Sequence, residues 1–139
     1  MLSTTALHWL MPPELVRLYR DLGRVLGRGG LLLNGDHMAF GPASPTLARL
    51  SKRVLDEQWT DAAFAARGIE TAEQWWEAVG SEPAFGPLLA ERTRRFAGKQ
   101  RQESPPDLDF HVSALREAGF REVGTIWQVV CDRVLLAVR

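Results

Sequence analysis

A helix, a glycine turn and an apolar strand follow one another near the start of the sequence, and this succession limits the possible folds most. The segment 11–14 (MPPE) predicts a helix start, because proline suits the first turn and an acidic residue is stabilised there. Apolar residues then recur at helical spacing through residues 15–26. The glycine-rich segment 27–30 ends the helix, and the apolar run 31–34 is typical of a strand covered on both faces. We therefore predict half of an α/β unit.

The middle of the sequence predicts helices and no strand. Ser44-Pro45 is typical of a helix cap followed by a first-turn proline, and Gly68 is the predicted end of that helix. The segment 71–74 (TAEQ) matches a capping box, and residues 81–99 predict a helix with a break near its Gly-Pro pair. We expect residues 44–99 to form a helical insertion that is not part of a sheet.

The last third of the sequence returns to an α/β pattern. Residues 108–118 predict a helix, and Gly119 suits the left-handed position that closes it. Residues 123–129 alternate as a strand does and carry apolar side chains on both faces, and residues 133–138 predict a second strand. The turn between them, at residues 131–132, is so short that the two strands must be antiparallel.

Composition narrows the possible partners. The 139 residues favour one domain, and 45% hydrophobic with 24% charged residues is ordinary for a soluble globular protein, which argues against a membrane partner. Lys and Arg number 17, as do Asp and Glu, so no net basic field exists to hold a nucleic acid. The single cysteine, Cys131, and the lack of a signal peptide predict a cytoplasmic protein.

In chain order the sequence resembles the carboxyl-terminal half of a class I S-adenosylmethionine-dependent methyltransferase of the small-molecule type. The resemblance rests on four short segments: 6–10 (ALHWL), 26–32 (LGRGGLL), 115–120 (LREAGF) and 134–139 (VLLAVR). It implies a partial Rossmann-like sheet with strands equivalent to the fifth, sixth and seventh of the family. The last of these is antiparallel and lies between its neighbours, and residues 2–4 form a stub of the fourth strand.

The resemblance also implies S-adenosylmethionine as cofactor and a small-molecule methyl acceptor. No glycine-rich cofactor loop occurs in the sequence, and the glycines at 27–30 follow a helix, the reverse of the order that a phosphate loop needs. We therefore expect weak or no cofactor binding by this chain alone. We also expect a bare sheet edge beside residues 31–34. Either the front half of the enzyme, carried on another polypeptide, or a second copy of this chain would cover that edge. A non-catalytic module that binds a ligand or a protein on a truncated methyltransferase scaffold is the alternative.

The predicted site lies beyond the carboxyl ends of the strands, where open α/β sheets bind their ligands. By the resemblance, Thr4, His8 and Trp9 would contact the cofactor. His37 is the predicted general base, since imidazole titrates near neutral pH, and Asp36 is predicted to bind substrate. The alternatives are that Asp36 only closes a turn, that His37 is merely solvated, and that Trp9 is a core residue.

By the resemblance the insertion at residues 44–99 covers the substrate pocket, so its aromatic residues are further candidates for the site. Trp59, Trp75 and Trp76 are predicted to bind an apolar or aromatic acceptor, although aromatic residues at helical spacing also serve as packing. Adjacent Trp75 and Trp76 cannot share one helix face. His111 is expected to be structural. The histidines have no metal-ligand spacing with one another or with Cys131, so no metal site is expected.

Overall fold

A computed structural model of the chain describes residues 1–58, 60–98 and 106–139. Four strands are present in these ranges: β1 (Leu2–Thr4), β2 (Leu31–His37), β3 (Glu122–Val129) and β4 (Asp132–Val138). The helices there are α1 (Pro12–Val25), α2 (Pro45–Gln58), α3 (Asp61–Ala66), α4 (Ala72–Ser81), α5 (Gly86–Phe96) and α6 (Leu108–Glu117). Short 3-10 turns cover Leu7–Trp9 and Pro83–Phe85. The fold is α/β, as the sequence predicts.

The strands form one mixed sheet in the order β1-β2-β4-β3. β1 is parallel to β2, and β4 runs antiparallel to both of its neighbours. The predicted antiparallel pairing of the last two strands is thus confirmed. The prediction of a bare edge beside residues 31–34 is wrong, because β1 pairs with β2 there. The outer strands of the sheet are instead β1 and β3.

β2 is longer than the sequence predicts. The apolar run ends at Asn34, yet the strand continues to His37, since its second half pairs in register with β4 as far as Asp132. Asp36 and His37 therefore lie within the strand and not beyond its end. Because side chains alternate along a strand, these two point to opposite faces of the sheet.

One face of the sheet packs against α1 and α6. The buried core joins apolar side chains from both helices and both central strands: Leu15, Tyr19, Ala114, Leu115, Leu32, Leu135 and Ala137. Gly23 of α1 permits the close approach of these helices, because a Cβ there would lie 2.2 Å from the backbone oxygen of Ala118. Arg139 adds hydrogen bonds to the backbone oxygens of Gly23 and Gly119, which ties the ends of both helices to β4.

The opposite face, which we call the open face, keeps apolar side chains partly or largely exposed. Leu2 is 71% exposed and Trp127 52%, and the paired side chains of Leu33, Val134 and Leu136 are partly exposed. The prediction that the strand at residues 31–34 is covered on both faces is therefore wrong. An apolar run shows which side chains favour burial but not what covers them, and here α1 and α6 cover only one face of the sheet.

The chain divides into two compact units, the first comprising Met1–Lys52 and Arg101–Arg139, the second Arg53–Gln100. The described part of the second unit is helical, and most of the predicted insertion falls within it. The helix predicted to run to Gly68 is two helices, α2 and α3, and Thr60 caps the second by accepting from Ala63 N. Thr71 and Gln74 form the predicted capping box of α4.

A buried pair links α1 to α6. The Tyr19 hydroxyl lies 2.6 Å from Nδ1 of His111, and both side chains are fully buried. Burial raises the pKa of the Tyr19 hydroxyl, and the Asp36 carboxylate raises it further. The hydroxyl therefore stays protonated and donates a hydrogen bond to neutral His111. Burial lowers the pKa of His111, whereas the Asp36 and Asp107 carboxylates oppose that shift. His111 is thus structural, as its sequence context predicts.

We expect Gly23→Ala to lower the free energy of unfolding by about 2 kcal/mol, since the new methyl group forces α1 away from Ala118. Gly27→Ala is the matched control, because no atom lies within 4 Å of a Cβ built there. Urea unfolding of both variants, followed by circular dichroism, measures the difference. Equal losses in the two variants would contradict the close contact.

The depressed pKa of His111 predicts a stability that falls on acidification. Below about pH 6.5 an unfolded histidine binds a proton that the folded His111 resists, so acid favours the unfolded chain. We expect His111→Gln to lose less stability than the unmodified chain between about pH 7 and 5.5. The free energy of unfolding at several pH values tests this, and parallel curves for the two proteins would show that His111 does not contribute.

Candidate functional site

The parallel strands β1 and β2 end at the same edge of the sheet, and polar side chains gather there. The 3-10 turn Leu7–Trp9 follows β1, and Thr5, with a φ of 45°, redirects the chain into it. The turn between β3 and β4 reaches the same edge, because His37 pairs with Asp132. We call this group the carboxyl-edge site, and its side chains are those of His8, Asp36, His37, Cys131 and Asp132.

The buried Asp36 carboxylate joins the turn after β1 to the end of β2. It is only 4% exposed, and its Oδ2 accepts from the backbone N–H groups of Leu7 and His8 at 3.0 and 3.1 Å. Its Oδ1 accepts from the backbone N–H of His37 at 2.9 Å and lies 2.6 Å from Nδ1 of His8. Both oxygens of Asp36 are therefore engaged by protein donors. The role in substrate binding given to Asp36 from the sequence stays a prediction.

Asp36 also fixes the orientation of His8. A carboxylate only accepts, so Nδ1 of His8 carries the hydrogen of this bond. The His8 side chain is 17% exposed, and its ring centroid lies 4.7 Å from that of Trp9. Trp9 itself is 57% exposed, so the alternative that it is a core residue is wrong. Thr4, the third predicted cofactor contact, is exposed in β1 opposite Gly35.

His37 lies on the open face with a different set of neighbours. Its Nδ1 forms a hydrogen bond with Oδ1 of Asp132, and the side chains are 45% and 39% exposed. The ring of His8 is 5.5 Å away between centroids. His37 is thus paired rather than merely solvated, and its part as general base stays a prediction. Sequence reasoning missed Asp132, since only the pairing of β2 with β4 brings it to His37.

The three predicted tryptophans of the insertion are not among the side chains of the carboxyl-edge site. Trp59 falls outside the described residues. Trp75 and Trp76 belong to the second unit, where their rings meet edge to face with centroids 4.8 Å apart and both side chains are partly exposed. The Arg92 guanidinium lies 4.6 Å from the ring centroid of Trp76, in cation–π contact. Their predicted contact with an acceptor stays a prediction.

No protein-family model matches the sequence, and no curated protein shows significant similarity to it. In the ranges that the structure describes, every helix is too short or too polar to cross a membrane. The function of the chain must therefore be inferred from the geometry of its sheet and of the carboxyl-edge site.

We expect Asp36→Asn to lower the free energy of unfolding by about 3 kcal/mol. In the wild-type chain backbone N–H groups donate to both carboxylate oxygens, and the NH₂ group that replaces one of these oxygens cannot accept from them. Asp21→Asn is the control, since Asp21 is exposed and pairs with Arg24 on the surface of α1. It should change stability by less than about 1 kcal/mol. Urea unfolding compares the two, and a loss in the Asp36 variant no larger than in the control would contradict the anchoring role.

Proposed function

We propose that this chain is the carboxyl-terminal half of a methyltransferase that uses S-adenosylmethionine to methylate a small molecule. The strand order β1-β2-β4-β3 carries the proposal. It combines a parallel pair with a final strand that is antiparallel and inserted between its neighbours. This is the arrangement that the sequence resemblance implies for the family's fourth to seventh strands. The tight hairpin between β3 and β4 would also allow β4 to be the outermost strand. The position of β4 between β2 and β3 is therefore not a consequence of chain connectivity.

The open face supports the idea that a second part of the enzyme covers this sheet. An apolar surface that stays exposed on a folded chain typically marks a contact with another layer of protein. Here Leu33, Val134 and Leu136 are partly exposed on a face that the core helices do not reach. In our proposal the front half of the enzyme covers this face and pairs with β1, an edge strand of three residues. Self-association of two copies is the competing way to cover it.

The proposed reaction asks the protein mainly to hold two reactants in line. The methyl carbon leaves the sulfonium sulfur as the lone pair of the acceptor forms the new bond, and the S–C electron pair stays on sulfur. Alignment of the reactants can supply much of the rate. An acceptor hydroxyl or amine also loses a proton, for which His37 is the predicted base. His8 and Trp9 follow β1 at the carboxyl edge, where ligands of open sheets bind.

Trp9 offers a specific contact for the cofactor. The sulfonium group of S-adenosylmethionine is a cation, and cations are attracted to the face of an indole ring. Trp9 exposes more than half of its surface and lies against His8, whose ring Asp36 holds in place. The first unit therefore presents an aromatic surface at the predicted cofactor position, whereas Trp127 is exposed on the sheet face.

We expect S-adenosylmethionine at millimolar concentration to shift the indole N–H resonance of Trp9 in the NMR spectrum of the chain labelled at tryptophan. Trp9→Phe identifies the resonance, and Trp9→Ala should weaken binding by about two- to fivefold. Trp127→Phe is the control and should leave the affinity unchanged. Binding without any change at Trp9, or no binding at this concentration, would remove the contact between Trp9 and the cofactor from our proposal.

A further inference from the structure

Three different metal-ligand atoms meet on the open face at the carboxyl edge. The imidazole of His37, the thiol of Cys131 and the carboxylate of Asp132 each offer one atom, and these atoms all lie within 4.8 Å of one another. Sγ of Cys131 is 4.0 Å from Oδ1 of Asp132, which also contacts His37. We propose that these three residues bind a zinc ion.

The backbone sets this arrangement from two strands. His37 ends β2 directly opposite Asp132, which begins β4. The N–H of Met38 donates to the backbone oxygen of Cys131 at 2.8 Å, so the turn before β4 is fastened to the end of β2. Val130, at that turn, has a φ of 55°, a conformation that is uncommon for a β-branched residue and is found where the surroundings impose it. The fold therefore holds the Cys131 backbone beside His37.

The donor set selects the metal. A thiolate and an imidazole suit zinc, which also accepts a carboxylate, whereas calcium and magnesium prefer oxygen ligands alone. Zinc–ligand bonds of about 2.0 to 2.3 Å place the donors of a tetrahedral site about 3.5 Å apart. Side-chain rotations would therefore complete the site: Sγ of Cys131 has to approach the other two donors by up to about 1 Å, and the hydrogen-bonded atoms of His37 and Asp132 have to separate to ligand spacing.

The exposure of the site leaves a coordination position for water. The side chains of His37 and Asp132 are 45% and 39% exposed, and Cys131 is partly buried. Zinc sites with three protein ligands and one open position are the catalytic kind, whereas structural sites use four. An ion here would thus present a bound water, or a ligand that replaces it, to the open face of the sheet.

Zinc binding has a defined proton balance. The ion displaces the thiol proton of Cys131, which passes to the buffer, whereas the hydrogen of the neutral His37 imidazole stays on the ring nitrogen that does not bind the metal. No electron is transferred. A zinc-bound nitrogen of His37 cannot accept a proton, so zinc binding and the general-base role predicted from the sequence are alternatives for this side chain. The zinc site does not depend on the proposed methyl transfer.

Cobalt provides a spectroscopic test, because Co²⁺ replaces Zn²⁺ and reports its ligands. Titration of the reduced, metal-free chain without an affinity tag should reach one ion per chain. We expect a thiolate-to-cobalt charge-transfer band and the strong visible absorption of a four-coordinate ion. Cys131→Ser should abolish the charge-transfer band. His37→Ala and Asp132→Asn should weaken Zn²⁺ binding, measured by competition with a chromophoric chelator, by more than about tenfold.

His111→Gln and Asp109→Asn are the matched controls, because they remove the same residue types from α6, outside the site. Both should retain the charge-transfer band and the zinc affinity. A cobalt spectrum without that band, or a zinc affinity that Cys131→Ser leaves unchanged, would overturn the proposal, since it would mean adventitious binding through histidine.

A measurement on the unmodified chain keeps the test independent of whether the variants fold. Cys131 is the single cysteine in the sequence, so its alkylation by iodoacetamide reports on this thiol alone. Because the metal-bound sulfur is shielded, Zn²⁺ should slow alkylation by at least about tenfold, and excess chelator should restore the rate. Magnesium ions should have no effect. Alkylation at the same rate with and without Zn²⁺ would contradict ligation by Cys131.

Discussion

The buried carboxylate of Asp36 is the interaction on which the carboxyl edge of the sheet depends. It accepts hydrogen bonds from the backbone of the 3-10 turn after β1, from the backbone of β2 and from the ring of His8. A buried charge is tolerated only when hydrogen bonds replace its hydration, and these bonds do so. The turn is therefore fixed to the neighbouring strand. The positions of His8 and Trp9 follow from that attachment.

The sheet itself has two dissimilar faces. One carries the core that α1 and α6 bury, together with the polar pair of Tyr19 and His111. The other exposes apolar side chains over its length and ends in the polar group of His37, Cys131 and Asp132. Burial of apolar area is the main driving force for association, so this face favours contact with another layer of protein. A partner seated there would also border the proposed zinc site.

Local patterns in the sequence predict much of the fold, and the tertiary pairings explain what they miss. α6 and the β3–β4 hairpin carry their own signals: a closing glycine for the helix and a turn too short for parallel strands. Residues 34–36 (NGD) look like a turn, yet pairing with β4 makes them part of β2. Asp36 is predicted as a site residue because it follows an apolar segment, and His8 is predicted from the family resemblance. Cys131 and Asp132 are not predicted, since His37 precedes Asp132 by 95 positions and no local spacing joins them.

The opposite orientation of Asp36 and His37 on β2 stabilises the observed register of β2 against β4. Sliding β2 by one residue against β4 would turn the carboxylate to the exposed side and the imidazole into the apolar interior. The amides that now meet Asp36 would lose their acceptor at the same moment, and a misaligned sheet would lose several hydrogen bonds together. These two adjacent polar residues therefore discourage mispaired strands.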